Sequence, residues 1–380
     1  MSSAKPTRKV ALVIGTRPEA IKLAPVYRRL QASPEFEPLV IATSQHREML
    51  VQAFDIFGIR PDYDLDVMTD GQTMAALAAR ILERLEPVLA RERPAWVCVQ
   101  GDTASTFCGA LAGFYQHIPL AHIEAGLRTF DLRNPFPEEA NRRFVSVIAD
   151  LHFAPTDLAR DHLIREGVPA DRILVTGNTG IDALHEVLQI PYAMPPILAA
   201  ALSGSGPRLM LTAHRRENHG APLQDICESI RRLCERLPEL RVLFPVHPNP
   251  AVQSVVNRVL SDVPGVHRLP PLGYQDFAQA MSRVDLILTD SGGLQEEAPS
   301  LGKPVLVMRN TTERPEGLEA GTARLVGTDP DRIVAEVQHL LSDTEAYRAM
   351  ARSVNPYGDG HAAERIVEAI ARMPLPDPGL

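Results

Sequence analysis

Short apolar runs rich in β-branched residues recur along the chain: Val10–Ile14, Leu39–Thr43, Trp96–Gln100, Leu120–Ile123, Ile173–Thr176, Leu209–Thr212, Val242–Val246, Leu286–Thr289 and Val305–Met308. Longer stretches with helical spacing of their apolar positions separate them. Runs that are apolar throughout, rather than alternating, mark strands buried on both faces, and the intervening helices supply the cover. The pattern predicts an α/β chain with parallel, doubly wound sheets. Pro191, Pro195, Pro196 and the stretch Gly204 to Pro207 interrupt the alternation, and a second strand-first unit begins at Arg208. A domain join near residues 178 to 207 is expected, giving two Rossmann-like domains, 1–178 and 179–360, with a cleft between them.

The chain's 380 residues suffice for two such cores, and 45% hydrophobic with 23% charged residues is the profile of a soluble globular protein. A formal charge of −8 argues against a nucleic-acid partner. Local basic runs such as His214-Arg215-Arg216 suit a small anion instead. No stretch approaches a membrane span, so no membrane partner and a cytoplasmic location are expected. Cys98, Cys108, Cys227 and Cys234 lack metal-ligand spacing and read as buried reduced thiols; no metal is expected.

In an open parallel sheet, ligands bind beyond the carboxyl ends of the strands. Those ends carry nearly every unusual polar residue here: Arg17, Gln45, Asp102, Glu124, His214, His247 and Ser291. After the run at 284–288, Thr289-Asp-Ser-Gly-Gly-Leu-Gln-Glu-Glu turns a strand into a helix. Backbone N–H groups and the dipole at a helix start favour a diphosphate on Ser291, Gly292 and Gly293, with Glu296 and Glu297 within reach of a ribose. The alternative is a plain turn that uses glycine for its φ angle. Gly15-Thr-Arg-Pro-Glu-Ala-Ile-Lys opens a helix after the first strand, with Pro18 in its first turn and Arg17 and Lys22 placed to grip phosphate. It lacks the Gly-x-Gly-x-x-Gly of a dinucleotide site, so no bound NAD and no other cofactor are expected. Asp102, in Gln100-Gly-Asp-Thr, is either a helix N-cap or an acid/base group. Glu124 ends the strand at 120–123, and Glu138 and Glu139 begin a helix; ion pairing with Arg128, Arg142 or Arg143 is the plainer role, above all for Glu139. Carboxylates packed together would raise at least one pKa, setting an acid beside a base. His214 and His247 each follow a strand directly. His214 suits a phosphate leaving group, a structural histidine being the alternative. Arg314 follows the 305–308 strand and is placed to reach the same diphosphate.

Taken in order, Gly-Thr-Arg-Pro-Glu-Ala-Ile-Lys, Gln-Gly-Asp-Thr, His-Ile-Glu-Ala-Gly-Leu-Arg, Pro-Glu-Glu-Ala-Asn-Arg, His-Arg-Arg-Glu-Asn, Asp-Ser-Gly-Gly-x-Gln-Glu-Glu and Thr-Thr-Glu-Arg-Pro-Glu resemble the non-hydrolysing bacterial UDP-N-acetylglucosamine 2-epimerases, from Gly15 to about Gly321. The resemblance implies a GT-B fold whose C-terminal helix, about 361–376, packs back on the first domain. It implies interconversion of UDP-GlcNAc and UDP-ManNAc, typically by a homodimer. It makes Asp102, Glu124 and Glu138 the candidate acid/base groups and gives His214 to the departing phosphate. Arg17, Lys22, Ser291, Gly292, Gly293 and Arg314 would hold the diphosphate, Glu297 the ribose, and Phe277 would contact uracil. A second UDP-GlcNAc, bound as an activator in some members, maps onto Gln45, Gln72, Arg215 and His247; two further positions of that set, Gln and Arg in some relatives, are Glu48 and Gly71 here. A hydrolysing epimerase and a GT-B glycosyltransferase are the alternatives.

Overall fold

The computed structural model describes residues 7–44, 47–69 and 71–373. They form two compact units, one from residues up to Glu186 together with those from Gly358, the other from Val187 to Tyr357.

The first unit holds a seven-stranded sheet: β1 (Arg8–Ile14), β2 (Phe36–Ala42), β3 (Tyr63–Asp64), β4 (Trp96–Gln100), β5 (Leu120–Ile123), β6 (Leu151–Ala154) and β7 (Ile173–Val175). Their order is β3-β2-β1-β4-β5-β6-β7, and every pairing is parallel. The second unit holds β8 (Arg208–Thr212), β9 (Arg241–Pro245), β10 (Val266–Leu269), β11 (Leu286–Thr289), β12 (Val305–Val307) and β13 (Ala323–Leu325), ordered β10-β9-β8-β11-β12-β13 and again all parallel. In both, the first strand sits centrally and the order reverses beside it, between β1 and β4 and between β8 and β11. That reversal is the switch point at which open α/β sheets bind ligands.

The central strands are buried because helices cover both sheet faces. Ala11, Val13, Ile41, Val97 and Val99 join Ile81, Leu85 and Leu89 of the helix Met74–Glu92 in one core. Leu209, Leu211, Phe244 and Leu288 join Ile226, Ile230 and Leu233 of the helix Ala221–Arg236 in the other. All four cysteines are free and buried, and burial pushes the Cys98 thiol up to about 12.

The segment expected as an interruption contains two helices, Thr179–Gln189 and Pro196–Leu202. The helix Ala362–Arg372 returns to the first unit: Arg8 donates to the Ile370 and Ala371 carbonyls, and Asp182 accepts the Ala363 N–H at 2.8 Å.

Candidate active site

In the first unit the turn after β1 is closed from below by Glu19. This buried carboxylate accepts the N–H groups of Gly15 and Thr16, both at 2.7 Å, and the hydroxyls of Thr103 and Thr106 beyond β4. Burial pushes its carboxyl above the usual range, against four hydrogen bonds that favour the anion. Gly15 is required by close approach: a Cβ there would fall 2.0 Å from Ser105 Oγ. Arg17 opens the helix Arg17–Ala32 half-buried, and Pro18 occupies its first turn as expected.

Asp102 is not the helix cap that the sequence allows. Thr103 caps the helix Ala104–Tyr115 by accepting the Thr106 N–H, which leaves the Asp102 carboxylate to Arg142 at 2.6 Å. Asn141 fixes its backbone by donating to the Asp102 carbonyl at 2.9 Å. Desolvation pushes Asp102 up; the Arg142 guanidinium opposes this, and the charges of Glu124 and Glu138 reinforce it. Glu124 has φ 62°, an unusual left-handed conformation for a non-glycine residue that tends to occur at functional sites. Lys22 pairs with it at 2.5 Å, and Gln100 and Asn178 donate to it. Lys22, expected at a phosphate, thus sits on a carboxylate. Glu138 begins the helix Glu138–Ile148 without an ion pair or hydrogen bond among the described residues. Glu139 is buried and accepts the Thr129 and Phe130 N–H groups, with Arg142 3.5 Å away, which fits its plainer reading. Behind the site, burial pushes His122 down to about 3, and its Nε2 meets the Gly101 carbonyl oxygen at 2.8 Å.

In the second unit His214 follows β8. Its Nδ1 lies 3.0 Å from Asp290, which directly follows β11, is fully buried and accepts the backbone N–H groups of His214 and Arg215. Burial acts to raise the Asp290 carboxyl, but these donors more than offset it and hold it below its usual range. Ser291 precedes the helix Gly292–Glu297, and its hydroxyl does not cap it. Neither Gly292 nor Gly293 has a positive φ, so the turn does not need glycine for its backbone angle. A Cβ on Gly292 would lie 3.5 Å from Arg215 and 3.9 Å from Arg314, and one on Gly293 would meet open space. Two guanidiniums thus meet at an uncrowded helix start, with the Glu313 carboxylate 4.0 Å from the same point; an anion there would take the guanidinium donors that the carboxylates do not use.

Arg314 pairs with Glu296, which is buried rather than free to face a ribose. Arg215 pairs with Glu313 at 3.3 Å. Glu297 is half-buried on the same helix, and Phe277 is half-buried on the helix Tyr274–Arg283. Of the activator candidates, Gln72 accepts from Arg80 at 2.5 Å and belongs to the first unit; Arg215 and exposed His247 belong to the second. Gln45 lies outside the described residues. Sequence reasoning missed Glu19 and Asp290. The signal for Glu19 was the Thr16-x-x-Glu19 spacing of a capping box. For Asp290 it was an acidic residue directly after an apolar strand.

Two Rossmann-like units, each with its unusual polar residues at the switch point, define a protein of the GT-B type. The chain belongs to the UDP-N-acetylglucosamine 2-epimerase family, whose sequence model matches residues 28–371. It is 50% identical to the UDP-N-acetylglucosamine 2-epimerase of Escherichia coli K12 over 368 residues, 95% of this chain and 98% of that one. The UDP-GlcNAc 2-epimerase of Neisseria meningitidis, solved bound to UDP-GlcNAc, superposes with a TM-score of 0.85 at 45% identity, covering 96% of this chain and all of that one. The Staphylococcus aureus MnaA structure with UDP gives 0.86 at 42% identity, covering 96% of each.

Proposed function

We propose that the chain interconverts UDP-GlcNAc and UDP-ManNAc by eliminating and re-adding UDP, without hydrolysis and without a redox cofactor. The observation that supports this best is that the Asp102 carboxylate, just past β4, feels the charges of Glu124, just past β5, and of Glu138, at the start of its helix. One carboxylate removes the C2 proton as the C1–O bond breaks. The bonding electrons of that C–O bond leave with the diphosphate, and a C1=C2 double bond forms. UDP then re-adds at C1 while C2 is protonated from the opposite face. Two faces call for two proton-transfer groups, and each such group is worth about 10²–10⁴ in rate.

In this reading Ser291, Gly292, Gly293, Arg17 and Arg314 bind the diphosphate, where positive charge fixed in advance stabilises the leaving group. His214 meets the departing phosphate, Glu297 takes the ribose and Phe277 packs on uracil. Lys22 serves Glu124. Proton NMR of the NAD-stripped protein with UDP-GlcNAc in D2O tests the assignment. UDP-ManNAc carrying deuterium at C2 is expected. Free ManNAc and UDP as the only products would overturn it in favour of hydrolysis, and activity that returns only with added NAD would overturn it in favour of oxidation.

A further inference from the structure

The two oxygens of Asp290 have different duties. Oδ2 accepts the backbone N–H groups of His214 and Arg215 at 2.9 and 2.8 Å and the side-chain amide of Asn218 at 3.0 Å. Oδ1 is buried and meets no aligned hydrogen bond among the described residues; the group placed to satisfy it is His214 Nδ1, 3.0 Å away. Leaving a buried acceptor unsatisfied costs about 1–3 kcal/mol, so the ring is strongly favoured with its Nδ1 as a donor. A neutral imidazole has one proton. With that proton on Nδ1, the Nε2 of this 46% exposed side chain carries the lone pair.

We propose that Asp290 is a positioning residue that fixes His214 in the Nδ1–H tautomer and keeps Nε2 as the atom that exchanges a proton with the diphosphate. In the imidazolium, Nε2–H donates to the phosphoryl oxygen as the C1–O bond breaks. The neutral ring left behind still has its proton on Nδ1, ready to take the other back at Nε2 when the diphosphate re-adds to C1. Asp290 stays ionised throughout. This inference rests on the assignment of His214 to the leaving group.

Asp290→Asn tests it with little loss of other contacts. Three N–H donors converge where Oδ2 stands, so the asparagine oxygen must take that place and its Nδ2–H must face His214. Nδ1 then has to accept, and the neutral ring reverses to the Nε2–H tautomer. Reversal of a catalytic histidine by the same substitution costs a serine protease about 10⁴ in kcat; here the expected fall is about 10²–10⁴-fold, with UDP affinity unchanged. Nitrogen NMR of the full chain labelled in its imidazoles, at a pH where the rings are neutral, reads the tautomer directly, and His214→Gln identifies the resonance. The expected result is Nδ1–H in the native chain and Nε2–H in Asp290→Asn, with kcat lowered.

Nε2–H in the native chain overturns the proposal, and that spectrum decides the matter even if the variant does not fold. So does Nδ1–H retained in Asp290→Asn, or a reversed tautomer with full kcat. Normal turnover in His214→Gln would instead sink the assignment of His214, while the tautomer spectra would still report on Asp290.

Discussion

The two units share a strand order but differ in what occupies their switch points. Each closes the turn after its first strand with a buried carboxylate that accepts two consecutive N–H groups. In the first unit that carboxylate is Glu19, supplied by the helix; in the second it is Asp290, the residue directly after β11. Neither turn then has those donors left for a pyrophosphate, which is the physical counterpart of the missing dinucleotide fingerprint. Beyond that shared lock they diverge. The first unit gathers carboxylates at Asp102, Glu124 and Glu138, whereas the second sets Arg215 and Arg314 over Gly292. One topology thus presents different groups at its two switch points, carboxylates held by Arg142 and Lys22 in the first unit and guanidiniums held by Glu313 and Glu296 in the second.

The division of labour predicts, first, that Asp102→Asn, Glu124→Gln and Glu138→Gln each lower turnover by about 10²–10⁴-fold while UDP binding, followed by calorimetry, stays near normal. Near-normal turnover in all three would erase the contrast. Next, the lock itself: Glu19→Ala strands two buried N–H groups and should cost about 1–3 kcal/mol for each, read by urea unfolding. Burial raises the Glu19 carboxyl, so the folded chain binds its proton more tightly than the unfolded chain does. This contribution is fully present below the ordinary glutamate value and is lost as pH rises through the native one. Glu19→Gln should flatten that part of the stability–pH curve, and an unchanged curve would assign the slope elsewhere.

Arg314→Ala removes a charged partner of the diphosphate and should weaken UDP binding by roughly 1.5–3 kcal/mol, measured by titration calorimetry. Undiminished affinity would move the anion away from Gly292. The glycines sharpen the comparison further. Gly15→Ala forces a methyl into Ser105 and should cost about 1–3 kcal/mol. Gly293→Ala meets open space at a helical backbone angle and should raise stability by about 0.4–1 kcal/mol while lowering UDP affinity; paired melting and binding measurements check both.

The nine apolar runs all fall on strands: eight are interior strands, apolar because they are covered on both faces, and the ninth, β7, is an edge strand that is apolar although Val175 is exposed. The strands that escaped notice lacked that signal. Edge strands β3, β10 and β13 are half-exposed and carry Asp64, His267 with Arg268, and Arg324; β6 is buried but holds His152 and no β-branched residue. At the site, strand ends and the Gly292 turn were legible from local pattern. The partner of Lys22 was not, because Glu124 lies 102 residues away and only the sheet brings them together. Asp290 was hidden for the same reason: its three N–H donors come from the loop after β8.

The return of the helix Ala362–Arg372 to the first unit means that the second unit is, topologically, an insertion in the first. Synthesis on the ribosome runs from the N-terminus, so the unit that begins first is completed last. The Arg8 side chain, at the very start of β1, waits for carbonyls that arrive more than three hundred and sixty residues later. A nascent chain arrested after Tyr357 would carry every strand of both sheets and still lack the piece that seals the older one.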